Sequence, residues 1–296
     1  MEIRVLRYFL TIAREGSITA AAEQLHITQP TLSRQIKDLE DELGQKLFTR
    51  SSHSMKLTQE GFIFRQRAEE IVSMVDKTAA EFLSMDHPIA GDIYIGGGET
   101  LAVSLIADLI AALRTEYPDI RYHLFSGNEA DVTERLDRGL IDFGILVQPA
   151  DVTKYDCIHL PAEDIWGVVM RKDSPLAQKK RIEKADLLHL PLIFSRQVLS
   201  TKTEGNAFID WFGEDFDKLN IVTTFNLMYN AALMVKSGVG YAVGIDGITN
   251  TGDESELCFR PLYPKMTSGL DLIWKKYMIF SPAAELFLHR LQARFG

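Results

Sequence analysis

Two short helical patterns separated only by His26-Ile27 constrain this chain more than any other feature. The first runs Ala20-Ala21-Ala22-Glu23-Gln24-Leu25 behind Thr19, a hydroxyl suited to the N-cap. Its small alanines let another helix approach closely. The second begins at Thr28, a further capping hydroxyl, with Pro30 in the first turn, where a missing N–H costs little. Leu32, Ile36, Leu39 and Leu43 give it an apolar stripe, and Gly44 supplies a left-handed end. Upstream, Leu6, Phe9, Leu10 and Ala13 mark one face of an earlier helix that closes at Gly16. Two helices on so tight a turn, after a helix that completes their core, make a helix-turn-helix. Lys46–Arg50 and Met55–Thr58 then read as short strands around the polar turn Ser51-Ser52-His53-Ser54, which is a wing.

From Thr58 to about Met85 the pattern is one long helix. Ala68, Val72, Val75, Ala79 and Phe82 alternate at spacings of four and three, as a coiled-coil seam requires. We read this helix as a dimerisation element; an ordinary amphipathic helix on its own domain is the competing reading. His87-Pro88-Ile89-Ala90-Gly91 breaks it.

Strands and helices alternate beyond that break. Strands are expected at Asp92–Gly96, Arg121–Phe125, Phe143–Val147, Trp166–Met170, Leu192–Phe194, Ile221–Thr224, Tyr241–Val243 and Leu272–Trp274, with helices between them and a last one at Ala283–Arg294. Such alternation argues for parallel sheets covered on both faces. One sheet of that size would be large, so two lobes are expected, hinged near Pro161 and Pro261–Pro264. The expected domains are a winged helix-turn-helix at 1–58, a linker helix at 59–87 and a two-lobed α/β domain at 88–296. Lobe I would take 88–161 and 265–296, and lobe II 162–264.

Composition adds exclusions. The chain has 296 residues, 46% hydrophobic and 25% charged, an ordinary globular balance. It carries no apolar run long enough to span a bilayer and no apolar leader at its start, so a cytoplasmic protein with no membrane partner is expected. The two cysteines, Cys157 and Cys258, are far apart, which predicts buried free thiols and no metal site. The net charge of −9 argues against DNA binding only if taken globally. Between Thr28 and Arg67 there are 7 basic and 5 acidic residues, so the local balance is reversed.

The run AAAEQLHITQPTLSRQIKDLEDELGQKLFTR, followed by LT and a long helix, resembles the DNA-binding end of LysR-type transcriptional regulators. PDIRYHLFSGN, GLIDFGIL, RKDSPLA, LPLIF and LMVKSGVGYAV extend the resemblance over the whole chain. It implies a periplasmic-binding-protein-like α/β domain, a small-molecule effector, double-stranded operator DNA, a homotetramer built as a dimer of dimers, and RNA polymerase as a possible contact. The sequence by itself supports a homodimer. Two departures stand out: His53 replaces a common wing arginine, and Val243-Gly244-Ile245 lacks a proline often found after the GVG segment.

On the second helix of the motif, Gln29, Thr31, Ser33, Arg34 and Lys37 lie off the apolar stripe, crowded toward the end that enters a major groove. Gln29 suits adenine, and Arg34 suits guanine or phosphate. In the wing, Arg50, Ser52, His53 and Lys56 are candidates for backbone or minor-groove contact. Each of these is equally at home on a solvated face, so the case rests on their combination.

For an effector, the carboxyl ends of the strands converge on the cleft between lobes. That places Thr100, Asn128, Leu146, Ser195, Arg196, Asn226 and Leu227 there as candidates. By resemblance, the Thr100 hydroxyl lines the pocket. Glu99 would oppose an anion and Arg196 would favour one, so ligand charge stays open. No cofactor is expected. G-x-S-x-G, H-E-x-x-H, C-x-x-C and Walker patterns are absent, so no catalytic residue is assigned. His123, His159 and His189 look isolated. The alternatives are an enzyme or a solute-binding protein of the same architecture, and the DNA-binding module at the start of the chain argues against both.

Overall fold

A computed structural model describes residues 1–50, 54–84, 89–200 and 207–296. The chain divides into two compact units, Met1–Leu83 and Ser84–Gly296.

In the first unit, α1 (Ile3–Glu15), α2 (Ile18–Gln24) and α3 (Gln29–Leu43) are followed by the hairpin β1 (Phe48–Arg50) and β2 (Met55–Leu57), then by α4 (Gln59–Ser84). Ser17, not Thr19, caps α2: its hydroxyl accepts from Ala20 N–H, and Thr19 lies inside the helix. The α2–α3 turn closes when Ile27 N–H donates to Ala22 C=O at 3.0 Å, with His26 left-handed at φ 54°. That is a Schellman arrangement built on a histidine where glycine is usual. Phe9 sits at the centre of the core, wholly buried, with Phe48 and Phe64 rings at 5.1 and 4.9 Å. Burying one such side chain stabilises by about 2–3 kcal/mol.

Gly61 is required where α4 starts, because a Cβ there would lie 2.1 Å from Leu47 C=O. The seam residues of α4 divide. Ala68 is buried and Val72 packs on the same core, so these two serve their own unit. Val75 and Ile71 are exposed, as are Phe62 and Ile63. Leu43, placed on the buried stripe by spacing, is exposed in the last turn of α3.

The second unit continues with β3 (Gly91–Gly97), α5 (Val103–Glu116), β4 (Ile120–Ser126), α6 (Glu129–Asp137), β5 (Phe143–Val147) and β6 (Tyr155–Arg171). It goes on through β7 (Ile182–Glu183), α7 (Lys184–Leu187), β8 (Leu192–Ser195), α8 (Arg196–Ser200), α9 (Ala207–Phe212), β9 (Ile221–Phe225) and α10 (Met228–Lys236). It closes with β10 (Tyr241–Ile245), β11 (Leu257–Tyr263), β12 (Thr267–Lys275) and α11 (Pro282–Phe295).

The strands pair in the order β4-β3-β5-β12-β6-β10-β8-β9, with β11 beside β6 and β7 beside β11. β3 pairs in parallel with β4 and β5, and β8 with β9 and β10, as alternation implies. β6, β11 and β12 depart from it: β12 runs antiparallel to β5 and β6, and β10 and β11 run antiparallel to β6.

β6 is one 17-residue strand shared by both lobes. Its first part pairs with β12 in lobe I, and Trp166–Arg171 pair with β10 and β11 in lobe II. The register shift between Ser268 and Leu270 marks the crossing. It falls beside the expected hinge at Pro161 and just past Pro261–Pro264. Lobe I is packed around Ile93, Ile106, Phe143, Leu272 and Phe287, and lobe II around Val168, Leu192, Phe194, Phe212 and Val243. Cys258 is buried as expected, but Cys157 is exposed because it falls on the outward side of β6.

Candidate functional site

Two sites emerge, one in each unit. In the N-terminal unit α3 buries Leu32, Ile36 and Leu39 and leaves Gln29, Thr31, Arg34 and Lys37 exposed, with Ser33 half-buried. Thr28 accepts from Thr31 N–H, and the two hydroxyls bond each other at 2.8 Å, so Thr31 is held in the cap. Arg34 lies 3.9 Å from Asp38, both side chains largely in water, a pairing worth little and easily exchanged for another anion. Lys56 is exposed on β2. The side chain of Arg50, and all of Ser52 and His53, lie outside the described residues.

The wing is positioned by a residue that the periodicity did not single out. Glu40 is 2% exposed. Its Oε1 accepts from Leu47 N–H at 2.9 Å and Phe48 N–H at 3.2 Å, and its Oε2 from Lys46 Nζ at 2.8 Å. Burial pushes the carboxyl up, but those bonds outweigh it and hold Glu40 below its ordinary value. A single carboxylate thus ties α3 to the strand that enters the hairpin. The signal was present in the spacing: Leu32, Ile36 and Glu40 fall at exact i, i+4, i+8 positions, an acid on the buried stripe.

In the second unit a cavity of about 130 Å³ lies between the lobes. Asn128, Ser195 and Asn226 line it. The other four candidates do not. Thr100 is buried and turned away: its hydroxyl donates to Asp164 Oδ1 at 2.9 Å and accepts from Ala102 N–H at 3.1 Å. Leu146 points under α6, packed with Val132 and Leu136. Arg196 is exposed at the start of α8, and Leu227 only precedes α10 without a side-chain cap.

Other walls come from residues distant in sequence. Trp166 donates from Nε1 to Ser268 Oγ at 2.8 Å, forming a floor with Met266. Phe208, Phe225 and Met228 add apolar surface, and Gln148 and Gln197 add amides. β10 continues through Gly244-Ile245 along this wall. Gly244 matters because a Cβ would meet Met228 Sδ at 2.7 Å.

Glu99 crosses the cleft, its carboxylate accepting from Met228 N–H at the start of α10. Glu129 crosses it too, accepting from Gln197 Nε2 at 3.0 Å. His123 and His159 are not isolated: they bond Asp92 and Asp271 on neighbouring strands, and the lining residue Gln148 donates to Asp271 Oδ1 at 2.8 Å. No group of three or more potential metal ligands occurs among the described residues. None of the described helices is long and apolar enough to cross a membrane.

Comparison with known proteins follows the same division. Residues 3–62 match the bacterial regulatory helix-turn-helix proteins of the lysR family, and residues 87–296 match the LysR substrate-binding domain. The chain is 31% identical to the uncharacterized HTH-type transcriptional regulator YybE of Bacillus subtilis, over the full length of both. It is 30% identical to HcaR, the Hca operon transcriptional activator of Escherichia coli, over 100% of this chain and 99% of that one. The fold is similar to that of full-length CbnR crystallised with its target DNA, with a TM-score of 0.73 at 19% identity over 99% of each chain. A helix-turn-helix with a solvent-facing polar side, joined to a two-lobed substrate-binding domain, and family matches over both parts, place this chain in the LysR family of DNA-binding transcriptional regulators.

Proposed function

We propose that α3 reads operator DNA through Gln29, Thr31, Ser33, Arg34 and Lys37, with Arg50, Ser52, His53 and Lys56 of the wing on the backbone or minor groove. The observation that carries this is the exposed polar side of α3, opposite a fully buried Leu32-Ile36-Leu39 side. A helix so anchored presents its N-terminal half to a major groove. Genomic fragments retained by the full chain supply the DNA for the test. Arg34→Ala is expected to lose about 1–3 kcal/mol of specific binding in a mobility-shift assay, roughly ten- to hundredfold, without unfolding the protein. Unchanged affinity removes Arg34 from the interface.

The interlobe cavity is the effector site in this reading, with Asn128, Ser195 and Asn226 as its polar contacts. A ligand that prefers one lobe arrangement shifts the regulator toward it. Thr100, Leu146, Arg196 and Leu227 stand behind or beside the cavity and act through their neighbours. A homodimer, and by family resemblance a homotetramer, reads paired half-sites, since one winged unit makes too few base contacts for a rare site. Exposed Phe62, Ile63, Ile71 and Val75 on α4 support such pairing. RNA polymerase is a further partner in this reading, the location is the bacterial cytoplasm, and the chain acts by binding, without catalysis.

A further inference from the structure

We infer that the interlobe cavity selects a small organic cation, such as an aromatic or arylalkyl ammonium, and rejects carboxylates; this rests on the reading of that cavity as the effector site. The lining is apolar and aromatic, with neutral amides and hydroxyls, and Glu99 is its one charged group among the described residues. One Glu99 oxygen takes the Met228 N–H, and no described residue bonds the other. A helix N-terminus is where an anionic ligand would dock. Here the first N–H of α10 is already engaged by the chain's own carboxylate. At α6, beside the lining residues Gly127 and Asn128, Asp131 fills the same role by accepting from Asn128 N–H at 3.1 Å. An entering carboxylate therefore finds those two donors occupied and a like charge facing it across the cleft.

An ammonium meets the opposite situation. Glu99 supplies the counter-charge, and Trp166, Phe208 and Phe225 put aromatic rings, which attract cations, in the lining. The cavity volume of about 130 Å³ is on the scale of a space that holds one benzene ring. The expected ligand is therefore a single ring with a short charged arm.

The test uses the full chain and three probes of similar shape: benzylamine, benzyl alcohol and benzoate. Affinity is measured by calorimetry at pH 7, and occupancy by the shift of the Trp166 indole N–H resonance, assigned with Trp166→Phe. The inference expects benzylammonium to bind at least tenfold tighter than benzoate while moving the Trp166 signal. Glu99→Gln keeps an oxygen for Met228 N–H and removes the charge, so it should abolish that preference while the thermal midpoint stays close to that of the parent. Benzoate binding as tightly as benzylammonium while moving Trp166 overturns the charge selection and leaves the effector reading standing. A preference that survives Glu99→Gln overturns it as well. If no probe moves Trp166, both readings fall.

Discussion

Glu40 in the N-terminal unit and Asp164 in the C-terminal unit are buried to the same degree, 2% and 3% exposed, yet their surroundings differ. Glu40 receives three donors, from Lys46 and the Leu47 and Phe48 backbone, and all its burial cost is offset. Asp164 accepts on Oδ1 from Thr100, and Leu101 N–H also bonds the carboxyl, but its Oδ2 is buried with no partner. Burial therefore raises Asp164 above its ordinary value, the two bonds only partly opposing it, whereas Glu40 ends below its own. The lesson is that a sealed carboxylate is a clamp only when its donors are complete. The first holds the wing to α3. The second sits in β6 near the lobe crossing, where the orphan oxygen makes the ionised form costly.

The largest effect that sharpens this contrast is expected from Glu40→Ala. It strands two buried N–H groups and should destabilise the N-terminal unit by about 2–4 kcal/mol. Urea unfolding of the full chain, with hydrogen exchange at the Leu47 and Phe48 amides, measures it. A loss below about 1 kcal/mol would mean that water replaces the carboxylate and that the clamp is no clamp.

How much of this was legible in the sequence follows the range of the interactions. α3 was readable because its cap, Pro30, stripe and Gly44 are local signals, each acting within a few residues. β11 left no mark, and β6 was expected only from Trp166, because its first half is defined by pairing with β12, more than a hundred residues away. The cleft divides likewise. Asn128, Ser195 and Asn226 follow from the rule about strand ends, while Gln148, Trp166 and Met266 depend on how β6 and β12 cross. Thr100 was drawn toward the pocket by the same strand-end rule and by resemblance. Only the fold shows that Asp164, 64 residues later, holds its hydroxyl elsewhere.

A second, smaller effect has the opposite sign. Asp164→Asn should stabilise the C-terminal unit by on the order of 1 kcal/mol at pH 8, because it removes a charge that burial disfavours. The native state of the parent keeps its proton to higher pH than the unfolded chain does. Its stability from this group therefore falls as pH rises from the ordinary aspartate range toward the raised native value. Below the ordinary range both states are protonated, and the two proteins should converge. Glu40 contributes in the reverse direction: its stabilisation is present above the ordinary glutamate range and lost as pH falls through the lowered native value. Thermal midpoints of parent and Asp164→Asn across pH 4–8 decide it. Curves that stay parallel would show Asp164 ionised at no cost, and the contrast with Glu40 would collapse.

The smallest effect concerns which of its three donors makes Glu40 a clamp. Lys46 is the obvious partner by charge, but its side chain is 65% exposed while that of Glu40 is 1% exposed. An ion pair with one end in water is weakened by solvent and salt. The Leu47 and Phe48 N–H groups are buried and have no water to fall back on. Lys46→Met removes the ammonium and keeps the stem, so it should cost less than about 1 kcal/mol and less still in 0.5 M salt. Glu40 keeps its two backbone bonds in that variant and still ties α3 to the hairpin, so operator affinity should change little. If Lys46→Met instead approached the loss seen for Glu40→Ala, the charge pair would be what holds the wing. The N-terminal carboxylate would then resemble Asp164 once its cation is gone, a buried acid with too few partners.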